Sequence, residues 1–275
     1  MGRSVRRAAA LWCVLCAAAL PARGDVIDVP GSGSPEFILR QLAEGFNKLD
    51  PDHQVQIPRS ARTVGGIRAI RRDEAVLARV SRQPTAEEAK GLTYLPFVRD
   101  AVVFAVGAGV SLRNITAFQA ADIFSGRIVN WRDLGGPDAP IRVIVRSEDE
   151  SILQILRRQF DPFRTLIFTN QAKVAYHASE AIELLDRFDT GIAFVARSTL
   201  SGGKTRLRAV SLDDVAPDNE NIGTGRYAYV VDYGFLYRED RLSDTARRFL
   251  EYVFSDPGRR IILEHGLVPL PRRPS

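Results

Sequence analysis

Beyond residue 24 the chain contains no cysteine; its two, Cys13 and Cys16, both fall within the first two dozen residues. A structural disulfide, a thiol nucleophile and a thiolate metal site are thereby excluded for the rest, and an oxidising compartment would not trouble it. Lysine is almost as scarce, present only at 48, 90, 173 and 204, so nearly all positive charge is carried by arginine. No apolar run after residue 24 approaches the ~18 residues needed to cross a bilayer. No internal repeat and no long disordered linker interrupts the chain. The three histidines, His53, His177 and His265, are too scattered for a metal site or a catalytic triad, and no cluster of Asp and Glu replaces them.

What is present begins with Arg3, Arg6 and Arg7, then the apolar stretch Ala8–Leu20, then Ala22-Arg23-Gly24. A basic start, a short apolar stretch and small residues at cleavage spacing read as a secretory signal peptide over residues 1–24, and so as a periplasmic or secreted product. Neither cysteine is preceded by a lipobox of small residues. The formal net charge is +5, and this segment holds four arginines and no acid, leaving about +1 for the rest by subtraction. With charges mixed along that rest, no basic stripe points to nucleic acid. The remainder, roughly 250 residues, suits one large or two smaller domains.

Local pattern predicts alternating strands and helices. Val26–Val29 is a β-rich run broken by Gly31-Ser32-Gly33-Ser34, and Ser34 is placed to cap a helix whose first residue is Pro35. Ile38, Leu42, Gly45/Phe46 and Leu49 repeat at helical spacing as far as Asp50-Pro51. Strand character returns at Val55–Ile57 and Val76–Val80, with a helix over Gly65–Arg72 between them, an order that favours a parallel sheet with crossover helices. Ala101–Val106 and Ile141–Val145 read as strands buried on both faces. Thr116–Ile123, Ser151–Phe160 and Ala178–Phe188 read as helices, Gly191–Val195 and Ala228–Tyr237 as strands, and Leu242–Phe254 and Gly258–Glu264 as helices. Ser201-Gly202-Gly203 and Asp218–Gly225 are expected to be flexible loops. Tyr227, Tyr229, Tyr233 and Tyr237 alternate, at least in part, along one strand, which suits sheet packing. Trp131, between Asn130 and Arg132-Asp133-Leu134, suits packing beneath a turn.

Two glycine-rich motifs do not survive inspection. Gly203-Lys204-Thr205 looks like the end of a phosphate-binding P-loop, but Ser198 stands where the first glycine belongs. Gly31-x-Gly33 lacks the third glycine of a dinucleotide loop, because that position is Glu36. No activated nucleophile or acid–base pair emerges, so no catalysis, cofactor or metal is expected.

The segment Asp122–Asp133, Asp-Ile-Phe-Ser-Gly-Arg-Ile-Val-Asn-Trp-Arg-Asp, followed by Leu134-Gly135-Gly136 and Ile141–Val145, closely resembles a signature of the periplasmic phosphate-binding proteins. Gly31–Ser34 is similar to their glycine–serine loop, Thr63-Val64-Gly65-Gly66 to their second ligand-facing loop, and Ala78-Arg79-Val80-Ser81-Arg82 to the segment closing the third strand. Gly191–Val195, Phe249–Phe254, Asp256-Pro257-Gly258 and Gly266–Leu270 resemble later family segments, so the likeness covers most of the chain after residue 24. It implies an α/β protein of the two-lobed type 2 periplasmic binding fold, each lobe a sheet flanked by helices, with two crossover strands as hinge. Residues 25–104 and 230–275 would form lobe I and residues 105–229 lobe II.

The resemblance also implies a ligand site in the interlobe cleft, built from Ser32, Gly33, Ser34, Thr63, Ser81, Arg146, Glu148 and Ser151. Helix N-termini, hydroxyls and a permanently charged guanidinium suit a small oxyanion. Glu148 stands where the family has a carboxylate that accepts a proton from the ligand. The implied partners are a small phosphate-like anion and the membrane permease of an ABC importer. The protein would act as a monomer, without nucleic acid and without membrane insertion once the signal is removed.

One stretch departs from the pattern. After the arginine the family usually has an acidic residue and a Gly-Ser-Gly-Thr loop, whereas this chain has Ser147-Glu148-Asp149-Glu150-Ser151-Ile152. Glu150 stands where a hydroxyl donor is expected, and Ser147 with Glu150 has the spacing of a capping box. A carboxylate about 4 Å from a bound anion would repel it by about 4 kcal/mol at an effective dielectric of roughly 20. Either Glu150 turns to solvent or to a neighbour such as Arg146, or the ligand differs from phosphate, for instance by carrying an amino or hydroxyl donor. A non-transport sensor or scaffold with the same fold and a lost or altered anion site is the alternative.

Overall fold

The structure is a computed structural model that describes residues 25–148, 150–201 and 206–272. The segment read as a signal peptide and the glycines of the Ser201-Gly202-Gly203 loop lie outside the described residues.

The chain opens with β1 (Val26–Asp28), α1 (Glu36–Leu49), β2 (Gln54–Gln56), α2 (Arg62–Arg71), β3 (Ala78–Val80), the short α3 (Ala86–Ala89) and β4 (Thr93–Val106). It continues through β5 (Asn114–Ile115), α4 (Ala117–Ser125), β6 (Arg142–Arg146), α5 (Ser151–Gln159), β7 (Lys173–Ala175), α6 (Ala178–Arg187) and β8 (Gly191–Ala196). There follow α7 (Ser198–Ser201), β9 (Arg208–Ala209), β10 (Ser211–Leu212), α8 (Asn219–Gly223), β11 (Val230–Tyr237), α9 (Asp244–Phe254), α10 (Asp256–Glu264) and β12 (Val268–Pro269). The main sheet has the order β3-β11-β4-β8-β6-β7, with β9 and β12 also on β4.

β4 organises the molecule. Its first part, from Thr93 to Ala101, pairs antiparallel with β11, and its last five residues, Val102–Val106, pair antiparallel with β8. Pattern alone picks out only Ala101–Val106, because Pro96, Arg99 and Asp100 interrupt the apolar run before it. Each charge finds a partner across the sheet. Arg99 donates twice to the Asp232 carboxylate, at 2.6 and 2.8 Å. Asp100, fully enclosed, accepts from the Ala101 N–H at 2.8 Å, the Ser198 hydroxyl at 2.5 Å and the Tyr233 hydroxyl at 3.4 Å. Buried polar groups with partners do not break a strand.

On one side of β4, Phe46, Phe97, Phe235 and Phe249 stack between the sheet and helices α1 and α9. On the other, Phe104, Phe124, Phe160, Phe163, Phe168 and Phe194 pack with ring centroids 5.0 Å (Phe160–Phe163) to 6.1 Å (Phe168–Phe194) apart, mostly edge-on or tilted as ring quadrupoles prefer. Trp131 is buried beneath its turn, its indole N–H donating to the Thr190 carbonyl at 2.9 Å. Among the described residues, no helix is long and apolar enough to cross a membrane.

Several expectations need correction. The main sheet is mixed: β6 pairs parallel with β7 and β8, but β4 runs antiparallel to β8, and β11 antiparallel to both β3 and β4. β1 and β2 form a separate parallel pair, linked toward β3 by the parallel bridge of Gly31 to Arg79. Ser34 does not cap α1. The helix starts one residue later than expected, with Pro35 as N-cap and no side-chain cap, because the Glu36 N–H donates to the Gly33 carbonyl at 3.0 Å and closes a turn there. Asp218–Gly225 contains a helix, since Asp218 caps α8 by accepting from the Asn221 N–H at 2.8 Å. Only Tyr233 and Tyr237 lie on β11; Tyr227 and Tyr229 precede it, and the Tyr227 hydroxyl donates to the Val102 carbonyl at 2.9 Å.

Candidate functional site

The loop after β1 is fixed by one arginine. Arg79, on β3, is fully buried, and its guanidinium donates to the backbone carbonyls of Val29, of Ser32 at 2.7 Å and of Pro58 at 2.7 Å, with the Glu36 carboxylate at 3.4 Å. Burial pulls its pKa below the ordinary arginine value, and Glu36 opposes that shift. Gly31 bridges Arg79 in a parallel register with φ +139°, and a Cβ there would lie 1.9 Å from the Arg79 carbonyl oxygen, so only glycine fits. The Ser32 N–H donates to that same carbonyl at 3.1 Å.

The start of α2 packs onto this loop. The Ala61 N–H and the Ser60 hydroxyl both donate to the Gly31 carbonyl, at 2.9 and 3.4 Å. Gly66 comes so close that a Cβ on it would meet the Gly31 Cα at 3.0 Å. That close approach explains the paired glycines of Thr63-Val64-Gly65-Gly66 better than chain flexibility does. Thr63, in the first turn of α2, places its hydroxyl 3.4 Å from that of Ser81, just past β3. Ser32 and Ser81 are buried, Thr63 is half-buried, and Gly33 and Ser34 are exposed at the loop tip. The Ser32 hydroxyl accepts from the Ser34 N–H at 3.4 Å. Ser32, Thr63 and Ser81 are thus drawn around the starts of α1 and α2.

A second group forms at the carboxyl end of β6. Arg146, the last residue of that strand, is 5% exposed. Its Nε donates to the Ala175 carbonyl at 3.1 Å, and its Nη2 pairs with the Glu150 carboxylate at 2.9 Å. Burial lowers its pKa, while the negative charges of Glu150 and Glu180 oppose that. Glu150 is the N-cap of α5, with its side chain turned back to Arg146 instead of capping the helix. Of the alternatives left open for Glu150, the structure has it turned to its neighbour Arg146, and the helix begins at Ser151 with Glu150, not Ser147, as N-cap.

Glu148 lies elsewhere. Its carboxylate is two-thirds exposed and held by Arg157, at 2.6 and 3.1 Å. The structure therefore sets Glu150, not Glu148, beside Arg146: the turn between the end of β6 and the start of α5 brings the N-cap residue back over the guanidinium. Ser151 opens α5 and is half-buried. Sequence pattern does not single out Ser60, Glu180 or the role of Arg79; the one available signal was a charge set between apolar neighbours on β3.

Helix starts show the same division. The N-cap residues of α1, α2, α5 and α6 (Pro35, Ala61, Glu150 and His177) make no side-chain cap, as is also true of α10. Thr85, Thr116, Asp218 and Ser243 do cap α3, α4, α8 and α9. At the helices that begin at the two groups above the N-cap residue takes up none of the first-turn N–H groups, although the Arg62 N–H of α2 donates to the Ser60 hydroxyl at 3.3 Å and the Glu36 N–H of α1 to the Gly33 carbonyl at 3.0 Å.

The histidines have ordinary surroundings. His53 lies between the Asp50 and Asp244 carboxylates, at 2.8 and 3.3 Å, and His265 contacts the Ile261 carbonyl and the Phe37 ring. Among the described residues no group of three or more His, Cys, Asp or Glu is arranged to hold a metal. A cavity of about 820 Å³ opens beside β4 and β11, lined by Tyr94, Asp232, Glu239, Arg247 and Arg272 among others, and takes in none of the residues expected to bind a ligand.

A family model described as a PBP superfamily domain matches residues 17–257. Among curated proteins, the phosphate-binding protein PstS of Borreliella burgdorferi is 24% identical over 253 residues, covering 88% of this chain and 89% of its own length. PstS of Bacillus subtilis is 24% identical over 251 residues, covering 89% of this chain and 80% of its own. Among solved structures, a substrate-binding protein with bound phosphate from Clostridium perfringens superposes with a TM-score of 0.75 at 22% identity, covering 90% of this chain and all of that one. At that identity the likeness is one of fold: two lobes, each a sheet flanked by helices, of the type 2 periplasmic binding architecture.

Proposed function

Since the chain belongs to the PBP superfamily, we propose that it is an exported solute-binding protein that captures phosphate or a related small oxyanion between its lobes for an ABC importer. Residues 25–104 and 230–275 make one lobe and residues 105–229 the other, with β4 and β11 as the hinge. Ser32, Gly33, Ser34, Thr63 and Ser81 offer hydroxyl and amide donors from the first lobe. Arg146 and Ser151 offer a guanidinium and a helix start from the second. Glu148, held on Arg157, belongs to the rim on this reading, and Glu150 takes its place beside the arginine. The protein works as a monomer and binds neither nucleic acid nor the bilayer itself.

The observation that carries this reading is the pairing of the Thr63 and Ser81 hydroxyls at the start of α2, with Ser32 on the adjoining loop before α1, at two helices whose N-cap residues give no side-chain cap. Neutral donors, two of them buried, on a positive helix terminus suit an oxyanion better than a sugar or a cation. Isothermal titration of the mature protein with phosphate, sulfate and methylphosphonate tests it. Saturable phosphate binding at micromolar concentration or below is the expected result; no heat with any of the three overturns it.

A sensor or scaffold with an altered anion site is the second reading, and the Arg146–Glu150 pair is what favours it. Uptake of radiolabelled phosphate by a deletion strain separates the two. Transport requires a loss of uptake that the wild-type gene restores; unchanged uptake with intact binding favours sensing.

A further inference from the structure

Arg146 is the only arginine in the proposed site, and a carboxylate of the same chain already occupies it. The Glu150 oxygen lies 2.9 Å from Nη2 of a guanidinium that is 5% exposed, and Nε is engaged by the Ala175 carbonyl. Glu150 also sits at the N-terminus of α5, where the helix favours negative charge. A carboxylate is itself a small oxyanion. This one takes up the guanidinium that would otherwise receive a ligand from the second lobe, and its charge lies beside the start of α5 without capping it.

We propose that Glu150 is a built-in competitor for the anion site, which an incoming oxyanion must displace from Arg146 before it can bind fully. It rests on the phosphate-binding reading above. Three features of the surroundings fit competition better than a fixed structural pair. First, the Glu150 side chain is 34% exposed, which gives it a way out to solvent without unfolding anything. Second, its backbone holds the helix start by itself: the Glu150 N–H donates to the Ser147 carbonyl at 3.0 Å and the Gln154 N–H donates to the Glu150 carbonyl at 3.1 Å. The carboxylate is therefore dispensable to α5. Third, Glu180 lies within electrostatic reach of Arg146, so the guanidinium keeps an acidic neighbour after Glu150 swings away. That carboxylate is anchored by the Tyr176 N–H at 2.7 Å.

Tethering makes the competitor effective. An attached carboxylate four residues away presents itself at an effective concentration of the order of millimolar or higher, so a free anion has to outbid it. The consequence is a weakened site, suited to release or to signalling at high anion levels rather than to scavenging at trace levels.

The test is isothermal titration of inorganic phosphate into the mature wild-type protein, Glu150→Gln, Glu150→Ala and, as a control for simple loss of a surface acid, Glu44→Gln. Glu44 is exposed on α1 and paired with Lys48, away from both groups of the site. Both Glu150 variants should bind phosphate roughly tenfold tighter or more, a gain of about 1.4 kcal/mol, while Glu44→Gln stays within about twofold of wild type. A circular dichroism melt of each protein checks folding, and the two substitutions guard against one misfolding. Unchanged or weaker binding in both Glu150 variants, with wild type binding normally, overturns the competition and leaves phosphate binding intact. No binding in any of the four proteins overturns the phosphate reading and the competition with it.

Discussion

Arg79 and Arg146 are both buried, both belong to short strands of the sheet and both have a glutamate within reach, yet different groups hold their guanidiniums. Arg79 donates to three backbone carbonyls, those of Val29, Ser32 and Pro58, before it meets Glu36. Arg146 donates to the Ala175 carbonyl and otherwise faces Glu150 and, farther off, Glu180. Carbonyls cannot leave, so a guanidinium saturated by them is a structural clamp. Side-chain carboxylates can leave, so a guanidinium facing them remains exchangeable. What decides between clamp and ligand group is which loops cross over the arginine, and neighbouring residues in the sequence do not report that.

The sharpest way to break the comparison is to remove the clamp. Arg79→Met should strand several buried carbonyls and the Glu36 carboxylate, lowering stability by about 3–5 kcal/mol in urea denaturation. A loss below about 1 kcal/mol would mean the loop after β1 holds itself. Arg146→Ala should do the reverse: phosphate affinity falls about a hundredfold, or about 2.7 kcal/mol, in calorimetry, with a smaller change in the urea midpoint than Arg79→Met causes. Equal losses of stability in the two variants would erase the distinction.

A third test addresses the strand between the two regions. Burial raises the Asp100 carboxyl above its usual range, against the hydrogen bonds from Ser198 and Ala101 and the charge of Arg197. Because the folded value is raised, the stabilising contribution is complete below the unfolded value of about 4 and is lost as pH rises through the folded value. Thermal melts across that range should show wild type losing stability relative to Asp100→Asn as pH increases; parallel curves would contradict it. The smallest effect is expected at Thr63. Thr63→Val keeps the shape and removes one hydroxyl beside Ser81, which should weaken phosphate binding about fivefold, close to 1 kcal/mol, and leave the urea midpoint nearly unchanged.

Much of the element order was legible from period and punctuation, because amphipathic helices such as α1, α5, α6 and α9 and apolar strands such as β6 and β8 carry their own signal. The first half of β4 was not. Pro96, Arg99 and Asp100 look like breakers until Asp232, Ser198 and Tyr233, over a hundred residues or nearly so away, are brought alongside. The site divides in the same way. Ser32, Thr63 and Ser81 fall in segments whose family likeness places them near one another. The cap expected at Ser34 gives way to a turn closed on the Gly33 carbonyl, and Glu150 takes the Arg146 guanidinium, one of the alternatives that local spacing alone left open. The choice between Glu148 and Glu150 turned on where a helix begins, and a shift of that start by a residue or two changes which acid meets the arginine.

β4 leaves one more mark on how such a molecule can behave. Fourteen residues of unbroken strand join the two halves, flanked by β11, with the Val102 N–H on the Tyr229 carbonyl and the Arg197 N–H on the Ala101 carbonyl, both at 2.8 Å. The proposed pivot is consequently a laced ribbon with a buried, hydrogen-bonded knot at Asp100, not a slack tether. A swing of one half against the other winds that ribbon like a torsion spring, so its amplitude is set by how far a β-ladder twists before a rung gives way.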